Sequence, residues 1–230
     1  MQSIKSAANY FSKVEIMLWS CSTISIIVSF YIFDGESYLT LGASIIGVTS
    51  LVFNAKGNPI GQLLMVIFSL LYGIISFGFA YYGEMLTYLG MTMPMAVFAL
   101  ISWLKNPYNG NKAEVEVNRI ANKEIVFMWM AAVLITVVFY HILTAFNTAN
   151  IIPSTISVTT SFVAVYLTFR RSPYYAVGYA ANDVVLIVLW VLAALENITY
   201  LSVVVCFAAF LVNDIYGFIS WRKMERRQKI

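Results

Sequence analysis

A chain that crosses a lipid bilayer must satisfy its backbone internally wherever it meets hydrocarbon, so long charge-poor stretches leave it few folds. Eight such stretches follow one another here, at 16–33, 38–53, 59–82, 85–104, 125–146, 151–169, 173–195 and 198–221. Each approaches the roughly 20 residues that carry a helix through the hydrocarbon core, which predicts eight transmembrane helices. The connections alternate in charge. Lys5 and Lys13 precede the first span, Lys56 follows the second, and Lys105, Lys112, Arg119 and Lys123 follow the fourth. Arg170 and Arg171 follow the sixth, and Arg222, Lys223, Arg226, Arg227 and Lys229 follow the eighth, which accounts for all 14 cations. The other connections hold the acids Asp34, Glu36, Glu84 and Glu196. Cationic loops stay on the cytoplasmic side, so both termini are expected there.

With 60% hydrophobic and 11% charged residues, the chain departs far from the roughly 25% charged of soluble domains. Residues 1–230 therefore read as one polytopic membrane domain, with function inside the bilayer. The longest polar stretch, 105–123, contains Asn106-Pro107-Tyr108-Asn109-Gly110, whose Pro, Asn and Gly signal turns. The net charge of +3 is a topology signal and implies no nucleic-acid partner. Cys21 and Cys206 fall inside spans with no Cys or His at metal spacing, which argues against a disulfide framework or a metal site. No small-residue cleavage pattern follows the first span, which is expected to be retained. No span holds a Lys for a retinal Schiff base, no Walker motif is present, and His141 stands alone in the fifth span. Neither an enzyme nor a cofactor is indicated.

The chain repeats itself. Ile101-Ser102-Trp103 closing span four matches Ile219-Ser220-Trp221 closing span eight, Val48-Thr49 matches Val158-Thr159, and Glu15-Ile16 matches Glu124-Ile125. Each half holds four spans, so the repeats enter the membrane in the same direction. Parallel repeats are one of the layouts of transporters that rock around a central site.

Polar residues within spans are expected to line that site. In span seven Tyr175, Tyr179, Asn182, Asp183, Leu186 and Trp190 recur at three- and four-residue steps and share one helical face. An ionised carboxylate at mid-bilayer costs at least about 2.5 kcal/mol, which makes packing alone a poor reason for Asp183. Together with an indole roughly 10 Å along the same face, it suits an aromatic heterocycle bearing hydroxyls or a cationic ring. Asn182 is divided between ligand contact and interhelical bonding, and Trp190 between ligand platform and interface anchor. Span three carries Gln62, Ser69, Tyr72 and Ser76, and alignment of the Ile-Ser-Trp endings brings Tyr72 into register with Trp190. For Ser69 and Tyr72, helix packing is the commoner use. In span four Tyr88 and Thr92 lie beside Pro94, which frees a backbone carbonyl one turn earlier. Asp214, about two turns from the end of span eight, is expected to pair with Arg170, Arg171 or Arg222.

Leu71-Tyr72-Gly73, Tyr82-Gly83-Glu84-Met85, Pro94-Met95 and Ile101-Ser102-Trp103-Leu104-Lys105-Asn106 lie in order in the first half. With Asn182-Asp183 and Asn213-Asp214-Ile215-Tyr216-Gly217-Phe218-Ile219-Ser220-Trp221, they resemble the PnuC family of vitamin and nucleoside transporters over spans two to eight. The resemblance implies an all-α membrane fold with two parallel three-helix bundles, 38–104 and 151–221. A linker helix at 125–146 joins them in a SWEET-like three-plus-one-plus-three arrangement, and 16–33 is an extra N-terminal helix. It further implies facilitated uptake of nicotinamide riboside or a related vitamin precursor by alternating access. The setting would be a homotrimer in the bacterial cytoplasmic membrane, with a cytoplasmic kinase trapping the ligand by phosphorylation. Members that carry nicotinamide riboside have an Asn followed by Trp-x-x-Trp-x-x-Tyr on the penultimate helix, and a Gln on the last helix of the first bundle. Here Asp183 stands in place of that Asn, Trp190 keeps the central aromatic, Ile187 and Ala193 flank it, and Tyr88 to Thr92 lie near the Gln position. The expected ligand contacts are Asp183, Asn182, Trp190, Tyr72, Tyr179, Tyr88 and Thr92. Proton-coupled transport of thiamine, riboflavin or deoxynucleosides with Asp183 as carrier, and a non-transporting membrane receptor subunit, are the competing readings.

Overall fold

A computed structural model describes residues 10–78 and 81–229, so Lys5 lies outside the described residues. Among these, eight helices are long and apolar enough to cross a membrane: α1 (Lys13–Asp34), α2 (Tyr38–Ala55), α3 (Ile60–Gly78), α4 (Tyr82–Lys105), α5 (Asn122–Ala145), α6 (Ile151–Phe169), α7 (Tyr175–Glu196) and α8 (Ile198–Gln228). They coincide with the eight apolar stretches. α8 differs most, running on past Trp221 through its cationic tail. Glu225 holds that tail helical, with Arg119, Arg222 and Lys229 all paired to its carboxylate.

Local chemistry sets the helix ends and irregularities. α1 starts from a capping box, in which the Ser12 hydroxyl accepts from the Glu15 N–H at 3.2 Å and the Glu15 carboxylate accepts from the Ser12 N–H at 2.7 Å. α4 widens into a π turn at Tyr88–Thr92, just before Pro94. A proline cannot donate to the carbonyl one turn back, and the wider turn accommodates that gap. The polar stretch after α4 folds into a hairpin of β1 (Pro107–Tyr108) and β2 (Asn111–Val115). Its two loop residues, Asn109 and Gly110, take φ of 49° and 77°, the left-handed pair that an Asn-Gly hairpin turn favours.

α2 packs on α3, α3 on α4, α4 on α6, α6 on α7, α7 on α8, and α8 returns to α2, so six helices close into a ring. α1 lies outside against α2 and α8, and α5 outside against α6. Small residues allow the closest approach: a Cβ on Gly178 of α7 would lie 2.8 Å from Cα of Ala164 on α6. The outer faces are apolar and exposed, as lipid contact requires, with Val133 and Leu134 of α5 at 62% and 65%.

The turns ending α2 and α6 are built alike. Gly57 and Arg171 both take the left-handed conformation, and Asn58-Pro59 and Ser172-Pro173 follow, with the Asn58 and Ser172 side-chain oxygens accepting from the N–H groups of Ile60 and Tyr174. These turns are 114 residues apart, whereas Trp103 and Trp221 are 118 apart. α3 and α7 grow directly from the turns, so their register pairs Ser69 with Asp183. The pairing of Tyr72 with Trp190, which the Ile-Ser-Trp endings suggested, is thereby corrected by four residues, about one helical turn. The match of Val48-Thr49 to Val158-Thr159, 110 residues apart, likewise falls out of register.

Candidate functional site

At the centre of the ring is a cavity of about 20 Å³ to which all six helices contribute. Leu51 comes from α2, Met65 and Phe68 from α3, Tyr88 and Thr92 from α4, and Ser161 from α6. α7 supplies Tyr179, Asn182 and Asp183, and α8 supplies Phe207, Phe210 and Asp214. The volume suits about one water molecule, so the walls are closed on one another.

Polar groups gather on the α7–α8 side. Asp183 and Asp214 are each 3% exposed and line the same cavity, and Asp183 Oδ2 has no partner. Asn182 Oδ1 accepts from Thr160 at 2.8 Å and Ser161 at 3.1 Å, which ties α7 to α6 and leaves the amide's two N–H donors as its remaining polar capacity. The buried Thr92 hydroxyl is unpartnered. Across the cavity the wall is aromatic, with Phe68 5.4 Å from Phe210 and 5.9 Å from Tyr88 between centroids.

An aromatic layer lies on each side. Away from the basic end, Trp190 Nε1 donates to Tyr72 Oη at 2.7 Å. Tyr72 packs on Tyr88 at 4.4 Å and Phe207 at 5.6 Å, while Trp190 packs on Tyr81 and Tyr200. Toward the basic end, Trp103 and Trp221 meet at 5.4 Å, with Tyr175 4.9 Å from Trp221. Trp103 Nε1 donates to the Thr168 carbonyl at 3.0 Å and Trp221 Nε1 to the Asn54 carbonyl at 2.7 Å. Each tryptophan therefore hooks the last helix of one sequence half onto a backbone turn of the other.

Of the seven expected contacts, Asp183, Asn182, Tyr179, Tyr88 and Thr92 line the cavity. Tyr72 and Trp190 are instead joined in the adjoining aromatic layer. Sequence reasoning missed Ser161, Phe68, Phe207, Phe210 and above all Asp214. The expected pairing of Asp214 with an arginine does not form: Arg170 is held by Glu124 and Arg222 by Glu225. The signal was its spacing, since Phe207, Phe210 and Asp214 fall at i, i+3 and i+7 on one face of α8. Glu84, read as part of a connection, sits in the first turn of α4 and is 1% exposed. A larger groove of about 770 Å³ lies outside the ring, where Trp129, Val163, Val177 and Ala181 of α5, α6 and α7 meet. It is mainly apolar and separate from the acid pair.

A ring of membrane-spanning helices around a closed cavity that holds buried acids, bounded by aromatic layers, is the architecture of a multi-pass helical transporter. The sequence matches the nicotinamide mononucleotide transporter family over residues 37–223, and the chain belongs to that family. It is 28% identical over 220 residues to the nicotinamide riboside transporter PnuC of Neisseria mucosa, covering 91% of this chain and 81% of that one. To the protein of the same name from Haemophilus influenzae it is 24% identical over 201 residues, covering 86% and 84%. The crystal structure of the vitamin B3 transporter PnuC superposes with a TM-score of 0.83 at 25% identity, covering 95% of this chain and 94% of that one.

Proposed function

We propose that the protein carries nicotinamide riboside, or a closely related cationic vitamin precursor, across the bacterial cytoplasmic membrane by facilitated diffusion. The observation that carries this reading is the central cavity, where a carboxyl pair, an amide and hydroxyls face an aromatic wall. A pyridinium riboside offers the complementary set: a flat cationic ring, an amide and sugar hydroxyls. The names of the relatives supply the same ligand independently.

Closure on both sides calls for alternating access. In the SWEET-like three-plus-one-plus-three arrangement, bundle 38–104 rocks against bundle 151–221 about the fixed cavity, with 125–146 as linker and 16–33 as the extra helix. Cation placement supports a cytoplasmic basic end and cytoplasmic termini. The Tyr72–Trp190 layer then faces outward, and the Trp103–Trp221 pair faces inward. A homotrimer, implied by the family resemblance, is part of the same proposal. Transport without an energy source accumulates ligand only if a cytoplasmic kinase removes it by phosphorylation.

The test is uptake of labelled nicotinamide riboside into proteoliposomes, with unlabelled thiamine, riboflavin and deoxynucleosides as competitors. Uptake above that of empty vesicles, reduced by Asp183→Ala with folding intact, is expected. No uptake above empty vesicles of the riboside, or of labelled thiamine as the related cation, overturns the proposal.

A further inference from the structure

The groove outside the ring has two different ends. Its walls, where α5, α6 and α7 meet, are mainly apolar, and it follows α7 from Tyr174 to Ala181, a run of about 10 Å. Trp129 and Val177 of these walls are exposed, on the surface that faces hydrocarbon.

The basic end of the groove is a built mouth. The chain at 117–120 crosses there, held at both sides. The Val117 N–H donates to Gln228 Oε1 at 2.7 Å, and Asn118 donates from its backbone to the Arg171 carbonyl at 2.9 Å and from its side chain to the Arg170 carbonyl at 3.1 Å. Arg119, Arg222 and Lys229 line the mouth around Glu225, and Arg222 also lies over the Tyr174 ring, 5.6 Å from its centroid. Three cations around one carboxylate leave two positive charges in surplus, on side chains that remain partly open to solvent.

Apolar walls within the membrane and a cationic mouth at its surface are answered together by one kind of molecule. An anionic phospholipid sets its phosphate among the cations and an acyl chain along the walls in a single pose. A free phosphate answers only the mouth. A second copy inserted in the same direction would bring its own excess of Lys and Arg to that level, cation against cation.

We propose that this groove binds an anionic phospholipid of the leaflet at the basic end, with its headgroup against Arg119, Arg222 and Lys229. At the inner wall Thr160 donates to Asn182 Oδ1 at 2.8 Å, so the lipid backs onto a residue of the central cavity.

Trp129 reports occupancy. In a Trp19→Phe background the other tryptophans, Trp103, Trp190 and Trp221, are fully buried, so quenching by lipids brominated on the acyl chain near the headgroup reads contact with Trp129. The full chain is reconstituted in phosphatidylcholine vesicles with rising fractions of brominated phosphatidylglycerol or brominated phosphatidylcholine. Half-maximal quenching is expected at an about 5- to 30-fold lower fraction of the anionic lipid, from about fivefold per surplus cation. Arg119→Gln with Lys229→Gln should cut that preference below about twofold. Lys105→Gln with Lys112→Gln, at the same end but outside the groove, should keep it. Ala181→Phe, which fills the groove from an exposed position, should remove it without touching a charge.

Equal quenching by the two lipids in the wild-type chain overturns the site, even if a variant fails to fold. An equal loss of preference in the Lys105, Lys112 variant would show diffuse surface charge and overturn it as well. So would absence of quenching by either lipid, which means that another chain covers the groove. Relief of quenching by inorganic phosphate, beyond that of chloride at equal ionic strength, would reduce the site to its mouth and refute the lipid.

Discussion

Tyr72→Phe removes one oxygen from the layer that closes the cavity on the side away from the cations, and leaves the ring's packing on Tyr88 and Phe207 in place. What is lost is the 2.7 Å bond from Trp190 Nε1, made between side chains that are 4% and 0% exposed. A buried bond between neutral groups contributes about 1 kcal/mol net, and about 3 kcal/mol at most when the surviving donor stays buried without that acceptor. Because Tyr72 belongs to α3 and Trp190 to α7, the bond joins the two halves that part in the proposed alternating access. A loss of 1 to 3 kcal/mol from the closed state alone shifts the equilibrium about 5- to 150-fold toward opening. Cys206 is a native reporter, since it is 3% exposed and belongs to the same core cluster as Tyr72, Trp190 and Phe207. In a Cys21→Ser background, alkylation of Cys206 by a membrane-impermeant maleimide should accelerate by that factor. An acceleration below about twofold, with unchanged thermal stability, would show that the bond does not hold this side closed.

Gly178→Ala places a Cβ 2.8 Å from Cα of Ala164 and should destabilise the detergent-solubilised protein by about 1 to 3 kcal/mol, read as a lower melting temperature; an unchanged transition would mean that α6 and α7 slide apart freely. Trp103→Phe and Trp221→Phe each delete one hook to a backbone carbonyl and should cost similar amounts, about 1 to 3 kcal/mol, raising accessibility at the basic end. Clearly unequal effects would contradict equivalent latches. Glu15→Gln breaks the pairing with Lys56 and weakens the contact with Tyr216, at a cost of about 1 kcal/mol, or a melting shift of about 2 to 4 °C. Uptake should stay within about twofold of wild type, since α1 lies outside the ring. A larger transport defect would give that helix a part in the motion.

The spans were legible because hydrocarbon imposes one requirement on every segment, and α6 begins and ends where its apolar stretch does. Where helices run into water that requirement lapses. α8 continues past Trp221 because Glu225 gathers three cations around it, a tertiary arrangement that hydropathy does not register. The span-seven face was legible from its period, and Asp183, Asn182 and Tyr179 follow it into the cavity. Asp214 was misread because its closeness to the basic end suggested an ion pair with Arg170, Arg171 or Arg222, whereas Glu124 holds Arg170 and Glu225 holds Arg222, roughly 12 Å further along the helix. The repeat was visible but its register was not. Short apolar words recur by chance in membrane spans, while the turn at Lys56-Gly57-Asn58-Pro59 shares only its proline identity with Arg170-Arg171-Ser172-Pro173 and is matched by backbone shape.

The tryptophan hooks at the basic end are mirror obligations: each half grips the other by the same atom in the same kind of place. The cavity between them breaks that reciprocity. Asp183 has Ser69 as its counterpart at the 114-residue spacing, and Asp214 has Ala96 at the 118-residue spacing. A cargo resting near a two-fold axis would meet identical surroundings if turned end for end, and two poses would compete. In the proposed transport cycle, acids on one flank alone would remove that degeneracy, so that the two halves match as a frame while the seat accepts its passenger facing one way.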